Sequence, residues 1–139
     1  MAQSARFRPA TILVVENEIL VRMELVASLT EMGLNVLAAA NADEAIELLD
    51  AHPDIEVLMT DINMPGSMDG LKLAHHVRER WPPVKIIVAS GRLSTQLSEL
   101  PRESLFLPKP YGPAGLAGAL RHMLEGPGGS LDARGGRRA

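Results

Sequence analysis

Five polar residues stand at corresponding places in the chain. Glu16 and Asn17 follow TILVV at 11–15, Asp61 follows EVLMT at 56–60, and Ser90 follows VKIIVA at 84–89. Lys109 follows the run that ends at Leu107, between Pro108 and Pro110. Singly, each has a bland explanation: Asn17 alone is a helix cap, and one lysine at a strand end is a solvated charge. An apolar core gives no reason for four such runs to end in an acid with an amide, an acid, a hydroxyl and a lysine. Clustered carboxylates raise one another's pKa, and a hard divalent cation such as Mg²⁺ removes that repulsion by taking oxygen ligands. A buried aspartate beside such a cation can attack phosphorus. The cation, an ammonium and a hydroxyl can then neutralise the three oxygens of a transferred phosphoryl group. The small Gly91 leaves space for that group.

The elements that must position these residues alternate along the chain. The β-branched run 11–15 reads as a strand buried on both faces. Ile19, Met23, Val26, Leu29 and Met32 fall at helical spacing over 18–32, and Gly33 stops that helix. A second strand spans 34–38, and Asn41 caps a helix that runs to Pro53. Strands at 56–60, 84–89 and 104–107 follow, with helices over 68–80 and 113–124. The stretch 91–103 is short and rich in Ser and Thr, which favour caps and turns, so its helix is expected to be short or irregular. The resulting (βα)₅ pattern implies a parallel sheet with helices on both faces. Ligands of such sheets bind beyond the carboxyl ends of the strands, where the five polar residues fall.

Composition narrows the function further. The 139 residues are the size of one domain. With no cysteine there is no disulfide framework, thiolate metal site or cysteine nucleophile, which fits a cytoplasmic setting. The four aromatic residues Phe7, Trp81, Phe106 and Tyr111 are too few for a stacking platform on single-stranded nucleic acid. Residues 10–125 carry about −7, against +2 at each end, and an acidic body argues against direct DNA binding. No apolar run approaches a membrane span. His52, His75, His76 and His122 are scattered and are read as surface residues, and the seven methionines as core filler. Neither GxxxxGK[ST] nor GxGxxG occurs. Residues 1–9 read as a flexible extension, 10–125 as the domain and 126–139 as a disordered Gly/Arg tail.

Over about residues 10–125 the sequence resembles a receiver domain of two-component response regulators. The resemblance is carried by VVENE with Glu16 and Asn17, TDINMPGSMDG from Asp61 to Gly70, ASG with Ser90, and FLPKPY with Phe106, Lys109 and Pro110. It implies a flavodoxin-like fold with strand order 2-1-3-4-5, and a phosphoryl group accepted by Asp61 from a histidine kinase or phosphotransfer protein. Glu16, Asn17, Asp61 and the backbone carbonyl of Asn63 would surround Mg²⁺. Ser90 and Lys109 would bind phosphoryl oxygens, and Phe106 would rotate inward as Ser90 moves. Lys109-Pro110 would be a cis peptide, which the proline makes accessible. Asn63 and Arg92 would tune the lifetime of the phosphoryl group.

The chain departs from the family's pattern in three places. Asn17 stands where a second acid is usual and brings no charge, so Mg²⁺ affinity should be reduced. The loop from Asp61 to Gly70 is one residue longer than usual, with the extra residue placed at Gly66-Ser67. The segment between the fourth and fifth strands is short. The tail supplies no helix-turn-helix unit, so the expectation is a stand-alone receiver that works by protein binding or phosphorelay. Its unknown downstream partner, or a second copy, would meet the face made by 91–124. An Mg²⁺-dependent phosphohydrolase is disfavoured because Asn63, two residues after Asp61, is not an acid. The remaining alternative is a pseudo-receiver that binds partners without phosphorylation. Asn17 favours it, whereas Asp61, Ser90 and Lys109 oppose it.

Overall fold

The computed structural model describes residues 7–64, 68–91 and 99–125. Five parallel strands form one sheet in the order β2-β1-β3-β4-β5: β1 Thr11–Val15, β2 Asn35–Ala39, β3 Ile55–Asp61, β4 Lys85–Ser90 and β5 Ser104–Pro108. Among the described residues there are four helices: α1 Ile19–Glu31, α2 Ala42–Ala51, α3 Gly70–Arg80 and α4 Gly112–Glu125. The expected strand order and parallel pairing are therefore present. The fourth of the expected five helices falls largely on residues 92–98, outside the described residues, as do Arg92, the loop tip 65–67 and the tail from 126.

The chain falls into two compact units, Met1–Lys109 and Pro110–Ala139. In the first, alternation along the strands builds two apolar layers. Leu13 and Val15 of β1, Leu58 of β3, and Ile86 and Val88 of β4 cluster with Ala45 and Leu49 of α2 and Leu73, Ala74 and Val77 of α3. Ile12, Val14, Met59 and Ile87 are equally buried but lie outside that cluster, on the opposite face. Helix α1, with Leu25 and Leu29 buried, packs along β1 and β2. In the second unit, α4 buries Leu116, Ala119, Leu120 and Met123, a stripe at helical spacing.

Local chemistry explains where the helices begin. Asn41 Oδ1 accepts the Glu44 amide at 2.9 Å, while Glu44 Oε1 accepts the Ala40 amide at 2.7 Å, so two donors at the start of α2 are satisfied reciprocally. Asp69 caps α3 by accepting the Lys72 amide at 2.9 Å, which places that helix start two residues later than apolar spacing alone indicates. The end of the N-terminal extension is tied to the first unit. The Phe7 amide donates to Met32 O at 2.6 Å, and Arg8 forks onto both Glu56 oxygens at 2.8 and 3.1 Å. That pair holds the Glu56 carboxyl below its usual range, but it is exposed and adds little stability.

Candidate functional site

The sheet register delivers the polar residues to one edge. Val15 pairs with Thr60, Thr60 with Val88, and Asp61 with Ala89, so the ends of β1, β3 and β4 step outward by one residue from strand to strand along one edge. Ser90 pairs with Pro108, which brings in the end of β5. Backbone bonds carry the ladder one residue further: Glu16 N–H to Ala39 O at 3.0 Å, Ile62 N–H to Ala89 O at 3.1 Å and Lys109 N–H to Ser90 O at 2.9 Å. The peptides that bear the candidate side chains are thereby fixed before any of those side chains interact.

Three of them meet directly. Lys109 Nζ lies 3.2 Å from Asp61 Oδ2 and 3.9 Å from Glu16 Oε1. The Glu16 side chain is 4% exposed and that of Asp61 12%. Two sequestered carboxylates therefore share one ammonium, which leaves the cluster a net negative charge that a further cation would offset. Burial pushes the Glu16 carboxyl above its ordinary pKa, and the Asp61 charge pushes the same way; the Glu18 amide and Lys109 pull it back. The second Glu16 oxygen accepts the Glu18 amide at 3.1 Å, and Asp61 Oδ1 accepts the Asn63 amide at 3.3 Å.

The other expected residues are located by strand register and by their neighbours in the chain. Ser90 is buried at the end of β4, Phe106 is half-buried opposite Val88 in β5, Asn17 and Asn63 are exposed beside the two acids, and Pro110 opens the second unit. Among the described residues no three His, Asp or Glu side chains converge on one point. A cation at this edge would rest on the two carboxylates, with the remaining ligands drawn from amide and carbonyl oxygens. Such an all-oxygen set suits Mg²⁺, which commonly takes one or two protein carboxylates and keeps its other positions for water and phosphate.

Two further residues support the site. A Cβ on Gly70 would lie 1.7 Å from Asp61 O, so only glycine lets α3 start against the strand that carries the acid, where its amide donates to Ile62 O at 2.9 Å. Arg22, in the first turn of α1, donates Nη1–H to Glu16 O at 2.8 Å. Arginine at a helical position predicts a solvated surface, and its carbonyl partner has no side-chain signature. The histidines are structural neighbours elsewhere: His75 Nε2 lies 2.7 Å from Glu99 O, and His76 packs edge-on to Trp81.

A doubly wound parallel sheet with acids and a lysine at its carboxyl edge defines a class of phosphate-handling α/β domains. Residues 12–121 match the family model described as the response regulator receiver domain, and the chain belongs to that family. It is 36% identical over 120 residues to the sensor kinase CckA of Brucella abortus, covering 84% of this chain and 13% of that protein. It is 33% identical over 125 residues to the hydrogenase transcriptional regulatory protein HoxA of Cupriavidus necator, covering 87% of this chain and 25% of that one. The chain thus spans a quarter or less of these curated relatives. Among solved structures, a response regulator receiver protein from Sinorhizobium medicae superposes with a TM-score of 0.76 at 29% identity, over 83% of this chain and 94% of that one. The response regulator TrrA of Thermotoga maritima, solved in complex with Mg(2+)-BeF, superposes with a TM-score of 0.73 at 26% identity, over 83% and 99% of the two chains.

Proposed function

We propose that the protein accepts a phosphoryl group on Asp61 from a histidine kinase or a histidine phosphotransfer protein, and passes the signal on by phosphorylation-dependent protein binding or phosphorelay. The observation that carries this reading is the Lys109 ammonium, 3.2 Å from Asp61 Oδ2 and 3.9 Å from Glu16 Oε1 at the carboxyl edge of a parallel sheet. A structural ion pair needs one acid. A second buried acid at the same ammonium makes sense when further positive charge and a phosphoryl group are to come.

In this reading the Asp61 carboxylate is the nucleophile. Its O–P bond forms as the P–N bond of the donor's phosphoimidazole breaks, and the electron pair stays on the imidazole nitrogen. Lys109, already at the carboxylate, transfers its ammonium contact to a phosphoryl oxygen. Ser90, buried one strand away, donates its hydroxyl to another. Glu16, Asn17, Asp61 and the Asn63 backbone carbonyl would hold Mg²⁺, which when bound neutralises charge on the phosphoryl oxygens. The structure solved with Mg(2+)-BeF supports this by likeness. Movement of Ser90 toward the phosphoryl group frees space that Phe106 fills, which shifts a balance between two surface shapes around β5.

The test is phosphorylation by a small acyl phosphate in the presence of Mg²⁺, followed by intact mass. The parent should gain one phosphoryl group and Asp61→Asn none. Equal labelling of the two would refute the assignment.

A further inference from the structure

The turn that presents Glu16 and Asn17 lacks the usual helix cap. Glu18 is the N-cap of α1, yet its side chain makes no capping hydrogen bond. Arg22 closes the turn instead. Its backbone amide donates to Glu18 O at 2.9 Å, the opening bond of the helix, and its guanidinium reaches further back to Glu16 O at 2.8 Å. These two bonds bracket Asn17. They also complete Glu16: its amide is held by Ala39 O, one carboxylate oxygen accepts the Glu18 amide, and the other faces Lys109. Among the described residues Arg22 makes no ion pair, so its charge is not spent on a neighbouring acid.

We propose that Arg22 is a positioning residue for the cation-binding pair Glu16 and Asn17, acting by holding the peptide between them. This rests on the reading of the site as an Mg²⁺-assisted phosphoacceptor and adds a residue to it. Because Asn17 brings no charge, the pair depends on orientation to a greater degree than two acids would.

The sign of the effect separates positioning from electrostatics. Arg22 is a cation near a cation site, so its charge alone disfavours Mg²⁺, and its removal by charge alone would tighten binding. A positioning role predicts the opposite. The experiment is Mg²⁺ titration of the intact, unphosphorylated protein, followed by calorimetry and by the amide resonances of residues 16–18. Arg22→Met and Arg22→Gln should each weaken Mg²⁺ affinity by about tenfold, the usual consequence of losing a residue that orients metal ligands. Arg22→Lys, which can still donate to Glu16 O, should recover most of the affinity. Thermal denaturation without metal confirms that the variants are folded at the titration temperature. Equal or tighter Mg²⁺ binding by either neutral variant overturns the proposal while leaving Asp61 as phosphoacceptor untouched. A parent protein that binds no Mg²⁺ overturns it together with the reading on which it rests.

Discussion

Glu16 carries the least comfortable charge at the sheet edge. Its side chain is 4% exposed and its pKa is raised chiefly by burial. A carboxyl whose folded pKa lies above its unfolded value binds more protons in the native state between those two pH values. Stability of the metal-free protein therefore falls as pH rises through that window. Glu16→Gln keeps an acceptor for the Glu18 amide without the charge. It should raise the metal-free Tm by a few degrees at neutral pH, flatten its dependence on pH, and abolish any rise in Tm on adding Mg²⁺. A lower Tm in the variant would show that Lys109 outweighs desolvation at this carboxylate. Asn17→Asp adds the missing charge to the same site. It should tighten Mg²⁺ binding in a titration, and unchanged affinity would show that residue 17 does not reach the cation.

Two contacts decide how the elements around the site are held. The Cβ of a Gly70→Ala variant would run into Asp61 O, a backbone atom that cannot swing aside. Overpacking of this kind costs about 1–3 kcal/mol, read by urea unfolding. Relief by moving the Asp61 loop should also slow phosphorylation. Further round α3, the buried Arg78 side chain donates to four backbone oxygens: Pro82 O and Val84 O before β4, and Arg102 O and Glu103 O before β5. It ties the entries of two strands to one helix, beside Glu103 at φ 59°, a conformation that side chains resist. Arg78→Met strands these carbonyls and should cost about 3 kcal/mol in urea unfolding, since each unsatisfied buried group costs about 1–3 kcal/mol. Amides at 99–106 should exchange faster in that variant.

Much of the molecule could be read from its sequence because each strand is a short apolar run followed by a polar residue. That alternation fixed the number of strands and their parallel arrangement, and it placed Glu16, Asp61, Ser90 and Lys109 at one edge before any contact was known. Asn41 was legible as a cap because its side chain does the capping. Arg22 and Arg78 were not legible. Their partners are backbone carbonyls, which every residue possesses, so no pairing of residue types marks them. Element ends shifted by a residue or two where a hydrogen bond, rather than hydropathy, sets the boundary, as Asp69 does for α3. At this scale a switch confined to one side of the sheet makes a further prediction. On phosphorylation, hydrogen exchange should change over residues 99–109 and stay nearly constant in α1, whereas a uniform change would contradict a local switch.

The proposed signalling role depends on Asp61 forming an acyl phosphate, which can be located chemically. Borohydride reduction converts a phosphorylated aspartate, and no other residue of the chain, to homoserine at the modified position. After incubation with a small acyl phosphate and Mg²⁺, reduction and peptide mass mapping should find homoserine at position 61 alone. Homoserine elsewhere, or a phosphoryl group that survives reduction on a histidine, serine or threonine while Asp61 stays unmodified, would contradict the account.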